Sequence, residues 1–113
     1  MFKLKLSNTF TSLVLFQVPG DGQVIQGEFT GTFNRLSQTQ LQAIANPETR
    51  PDDDKLLDQV FVGWGDDLCD EFGTALAVSD TNRAMLFDIA GMKRAILTAY
   101  VAAQAEAGPR SKN

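Results

Sequence analysis

The chain of 113 residues contains no histidine and a single cysteine, Cys69. The first absence removes the commonest general base, the commonest metal ligand and the side chain that titrates near neutrality unaided. The second excludes an internal disulfide, and a lone thiol fits a reducing compartment. Cations are also few: ten Lys and Arg are scattered among fourteen Asp and Glu, for a formal net charge of −4. Neutralising phosphates takes clustered cations, so nucleic acid and anionic membrane are poor partners. No window approaches the roughly 18–20 apolar residues of a membrane span. The opening Met1-Phe-Lys-Leu-Lys-Leu6 alternates instead of entering the continuous apolar stretch of a signal peptide. The cytoplasm is the expected location.

What is present suits one globular unit. Apolar residues make up 43% of the chain, enough for one core at this length. The first third reads as strand. Phe2, Leu4 and Leu6 alternate with Lys3 and Lys5, and Ser7-Asn8 marks a turn. Thr11 to Val18 is β-branched and aromatic with apolar residues on both faces, which predicts a central strand. Pro19-Gly-Asp-Gly22 is a turn, and a third strand follows from Gln23 to Phe33. Its Ile25, Gly27, Phe29, Gly31 and Phe33 share one face. These short connections predict an antiparallel meander.

From Ser37 the apolar period lengthens to that of a helix. Ser37-Gln-Thr-Gln40 is a capping box, and Pro47 stops the first helix. Pro51-Asp-Asp-Asp54 opens a second, with carboxylates at the positive end of the helix dipole. Leu56, Leu57, Val60, Phe61 and Trp64 form its apolar face, and Gly65 is placed to end it. Ser79 starts a third helix carrying Met85, Leu86 and Ile89; after Gly91 a fourth runs from about Met92 to Ala107. Gly108-Pro109 closes it. The expectation is a single α+β domain over residues 1–108, about three antiparallel strands followed by about four helices, with a flexible tail at 109–113.

The residues that invite chemistry fit simpler roles. Asp66, Asp67, Asp70 and Glu71 fail the calcium-loop template, since its third position would be Leu68 and its sixth, where glycine is needed, Glu71. Cys69 has acids for neighbours and no base to form thiolate. The glycines match neither nucleotide-binding pattern. No catalytic group, cofactor or metal site is expected. Four aromatics are candidates for contact with a partner, namely Phe29, Phe33, Trp64 and Phe72, with core packing as the standing alternative. Phe72, a bulky apolar residue in an acidic loop, either folds back on the core or waits for a partner.

Taken together, Phe29-Thr-Gly-Thr-Phe-Asn-Arg-Leu-Ser37, Val62-Gly-Trp64, Asp70-Glu-Phe-Gly73, a helix begun by Ser79, and Ala95-Ile-Leu-Thr-Ala-Tyr100 fall in an order and spacing that resemble the tail assembly chaperones of long-tailed bacteriophages. The likeness spans about residues 29 to 103. Ala75 and Val78 depart from it, standing where Pro and Phe are common. The resemblance implies a non-enzymatic protein of the bacterial host cytoplasm, absent from the mature virion. Its partners would be the tape measure protein, a long aggregation-prone helical chain, and the tail tube protein. It also implies, in many members, a longer product made by ribosomal slippage, and Lys112-Asn113 can be encoded by the adenine run this needs. A homo-oligomer is compatible, because a small meander exposes a strand edge. The alternative is a structural head-to-tail connector or tail completion protein.

Overall fold

The computed structural model describes residues 8–107, with side chains through Gln104. Two long strands come first, β1 (Thr9–Gly20) and β2 (Gln23–Asn34), then helices α1 (Gln38–Ala45) and α2 (Asp53–Val60), a short strand β3 (Phe61–Trp64), and helices α3 (Asp80–Phe87) and α4 (Met92–Ala107). The strands form one antiparallel sheet in the order β1-β2-β3. This is the expected α+β class, with three antiparallel strands and four helices. The strand expected at Phe2–Leu6 and the tail expected at 109–113 lie outside the described residues.

Among the described residues β2 lies between β1 and β3; the central place expected for Thr11–Val18 turns on the Phe2–Leu6 strand, outside those residues. One assignment differs from expectation. The last turn expected of α2 is instead β3. Its residues are β-branched or aromatic (Phe61, Val62, Trp64), and β2 offers them a free edge. Phe61 leaves the helix in an extended conformation while its N–H still donates to the Leu57 carbonyl. Arg83 of α3 then secures the exit. Its guanidinium donates to the carbonyls of Phe61 and Leu57, the latter at 2.9 Å, and lies 4.8 Å from the Phe87 ring centroid. The register of β3 on β2 shifts by one residue beside Thr32 and Phe33. That bulge brings Phe61 and Trp64, three apart, to the same inner side, with ring centroids 6.0 Å apart.

β1 and β2 pair without interruption from Thr9↔Asn34 to Gly20↔Gln23. The two-residue turn between them relies on Gly22, which takes a φ of 71° that other residues rarely adopt. Alternation puts Val14, Phe29 and Phe33 on the inner face, all fully buried. Phe16 lies across Gly27, its partner on β2, where a Cβ would come within 2.5 Å of the ring. The strand glycine therefore serves as the floor of an aromatic side chain.

All four helices begin or pack as their sequence patterns require. Ser37 and Gln40 form the reciprocal capping box, at 2.9 and 3.2 Å. Asp52 and Ser79 accept from Lys55 and Asn82 N–H groups at 2.8 and 3.1 Å. The described elements share one core, in which Leu56, Leu57 and Val60 of α2 meet Met92, Ile96 and Tyr100 of α4 against the inner sheet face. Phe33 sits at its centre, with ring centroids of Phe10, Phe61 and Tyr100 at 5.7, 5.7 and 5.5 Å. Replacing Phe33 by Ala removes the hub of this cluster and leaves a cavity, so an unfolding free energy lower by about 3–5 kcal/mol is expected in a denaturant titration followed through the lone Trp64.

Candidate interaction surface

The four candidate aromatics separate sharply. Phe29 and Phe33 are fully buried, and Trp64 retains 7% of its surface. The indole Nε1–H of Trp64 donates to the Leu76 carbonyl at 3.0 Å, so both its apolar body and its polar edge are used within the fold. These three serve the core, as the packing alternative held. Phe72 is 83% exposed.

Phe72 is not on a loose loop. Cys69 and Ala75 form an antiparallel bridge, and Leu76 N–H donates to the Leu68 carbonyl at 2.9 Å. Inside this bridge Asp70 N–H donates to the Thr74 carbonyl at 2.9 Å, and one Asp70 carboxylate oxygen accepts from the N–H groups of Phe72 and Thr74, at 2.9 and 3.0 Å. Gly73, at a φ of 81°, closes the tip. The phenyl ring is thus held out from a small hairpin braced by its own acid.

The hairpin is tied to the sheet at both ends. Gly65 N–H donates to the Thr30 carbonyl at 2.9 Å, continuing the ladder one step beyond β3. Asp67 then takes over the edge of β2: its carboxylate accepts from Thr30 N–H at 2.9 Å and from the Thr30 hydroxyl at 2.8 Å. These bonds hold the Asp67 carboxyl below its ordinary value of 3.8, backbone contribution first and hydroxyl second. Downstream, the Trp64 indole grips Leu76. Two of the four loop acids are therefore structural. Cys69 is exposed and its thiol donates to the Asp66 carbonyl at 3.2 Å. Among the described residues no group of three metal-ligating side chains exists.

A second surface escaped sequence reading. An open groove of about 950 Å³ runs between the start of α2, the α3–α4 turn and α4, with Ile89, Leu97 and Val101 among its apolar lining. Lys93 crosses it to Asp54 at 2.8 Å, and this bond raises the lysine's pKa. The sequence carries little signal for it: Leu97 belongs to the core beside Ile96 and Tyr100, and of the α4 residues only Val101 is an exposed large apolar side chain. The groove mixes both signs of charge around a short apolar floor, whereas Phe72 is the most exposed large apolar side chain among the described residues.

Compared with family models, with curated proteins and with solved structures, the chain matches none.

Asp67 provides a test of how the hairpin is fixed. A carboxyl with a depressed folded pKa contributes stability above its unfolded value, and that contribution disappears as pH falls through the lower folded value. Asp67→Ala is expected to melt below the wild type at pH 7. The gap should narrow as the solution is taken below pH 3.8 and vanish once Asp67 is protonated. Thermal melts followed by circular dichroism across that range measure it.

Proposed function

We propose that the protein is a tail assembly chaperone of a long-tailed bacteriophage: a non-enzymatic binding protein that keeps the tape measure protein soluble in the host cytoplasm, contacts the tail tube protein, and leaves before the virion is complete. The ordered run of segments from Phe29 to Tyr100 suggests the family. The observation that carries a binding role is Phe72, presented at 83% exposure on a hairpin braced by Asp70 and anchored by Asp67.

Holding a phenylalanine in water is unfavourable by itself, and a fold that spends several hydrogen bonds on doing so gains when a partner covers the ring. Because the loop is already ordered, little conformational entropy remains to be lost on binding. Glu71 precedes Phe72 and Asp66 lies in the same loop, both exposed, which favours a client whose apolar pocket or helix stripe is bordered by Lys or Arg. A helical client with one apolar face fits these terms, and displaceable single-anchor contacts suit a chaperone that must hand its client on.

Co-expression with the tape measure protein of the same phage should move that protein into the soluble fraction, bound to the chaperone, and purified particles should lack the chaperone. Phe72→Ala should weaken the complex roughly thirtyfold, as a central aromatic anchor does, while changing stability by no more than about 0.5 kcal/mol. Failure to bind or solubilise the client overturns the proposal, and retention in finished particles would favour a connector or completion protein. Wild-type affinity in Phe72→Ala removes the ring from the binding site.

A further inference from the structure

The outer edge of β1 is long and uncharged. Thr9–Gly20 contains no Lys, Arg, Asp or Glu, and its pairing with β2 keeps one register throughout, with no bulge. Soluble proteins blunt such edges with charges, bulges or prolines, because unpaired N–H and C=O groups template another strand. Here the one such device is Pro19, close to the turn.

The turn determines which groups face outward. Residues flanking a two-residue hairpin loop exchange hydrogen bonds, and the pattern alternates along an antiparallel ladder. Gly20 and Gln23 are that flanking pair. Val18, Phe16, Val14 and Ser12 accordingly bond to β2, whereas Gln17, Leu15, Leu13 and Thr11 turn their backbone groups away from it. Thr30 of β2 confirms the phase. It stands opposite Leu13, yet its carbonyl accepts from Gly65 and its N–H donates to Asp67, both on the far side from β1. Among the described residues no strand pairs with the outer edge of β1. The side chains of Leu13 and Leu15, on the solvent face, are 49% and 65% exposed.

We infer that this edge pairs antiparallel with β1 of a second copy, with Leu13 of one chain opposite Leu15 of the other. The register follows from matching like with like. Leucine meets leucine at both central positions, Thr11 meets Gln17 on either side, and Pro19 falls beyond the ladder, so no paired position lacks an N–H. Four reciprocal positions give roughly eight hydrogen bonds. A second copy is favoured by charge: its strand is equally uncharged and meets the first without ionic repulsion, whereas β2 carries Glu28 and β3 is only four residues long. Alongside the edge, Ala95, Thr98, Ala99 and Ala102 of α4 form a low wall with Leu13 and Leu15. These small side chains leave room for the approaching copy. The pairing is independent of the tail-assembly reading.

Sedimentation velocity on the full chain, with two double variants, tests it. The wild type should be dimeric. Leu13→Lys/Leu15→Lys puts like charges opposite one another in both central pairs and should weaken association by at least about tenfold. Leu13→Glu/Leu15→Lys introduces as many charges, but each Glu then faces a Lys of the other copy, so the dimer should persist. Both variants should keep the wild-type circular dichroism spectrum, since these side chains are outside the core. A monomeric wild type, as when some other segment or partner covers the edge, overturns the inference. So does a Lys/Lys variant that remains dimeric, and a Glu/Lys variant that dissociates as fully as the Lys/Lys variant overturns the pairing stated.

Discussion

β2 is committed on both edges and on one face at once, and the rest of the molecule depends on that. One edge is bonded to β1 along its length, the other to β3, Gly65 and Asp67 in succession. Its inner face carries Phe29 and Phe33, which the helices cover. Side chains in a strand alternate with a period of two, so a slip of one residue would turn both rings into solvent and bring Thr30 and Thr32 against α2 and α4. Register, core composition and the position of the Phe72 hairpin are therefore one constraint, imposed through Thr30 and its two neighbours in the strand.

Much of this was legible where the cause is local. Ser37, Asp52 and Ser79 announce helix starts because an oxygen three residues before a free N–H can cap it wherever the chain goes. The spacing of two between Phe29, Gly31 and Phe33 assigns the two rings to one face for a similar reason. Phe61–Trp64 was not legible. Leu56, Leu57, Val60, Phe61 and Trp64 continue a helical stripe without a break, and the choice between another helical turn and a strand is made by the edge of β2 and by Arg83, 22 residues further on. The direction of Phe72 was equally hidden, because Asp70 sets it by folding back on two N–H groups, a use that its acidic neighbours disguise as a possible cation site.

The acidic loop changes character in the light of those bonds. Its carboxylates substitute for missing structure: Asp67 stands in for the next residue of a strand, and Asp70 for the backbone acceptor of a longer turn. A loop built this way has few soft torsions left. Local openings in proteins concentrate where backbone hydrogen bonds are few, and here they are supplied by side chains at each end of the hairpin. For the proposed binding role, this gives an aromatic anchor on a support that is already ordered.

The two inferred contacts occupy opposite sides of the sheet. The hairpin bearing Phe72 hangs from the β3 side of β2, whereas the edge from Thr11 to Gln17, which no strand pairs among the described residues, belongs to β1. Joining two copies through β1 merges their sheets and sends the two hairpins to its far ends, each still exposed. Such a dimer offers a long client two identical anchors. Once the first is engaged, the second binds at an effective concentration set by the length of client between them, so two weak contacts hold more firmly than either alone. Each contact remains individually weak, and a competitor that displaces one removes most of the gain. That combination, firm holding from contacts that can be released one at a time, is what the proposed chaperone role requires.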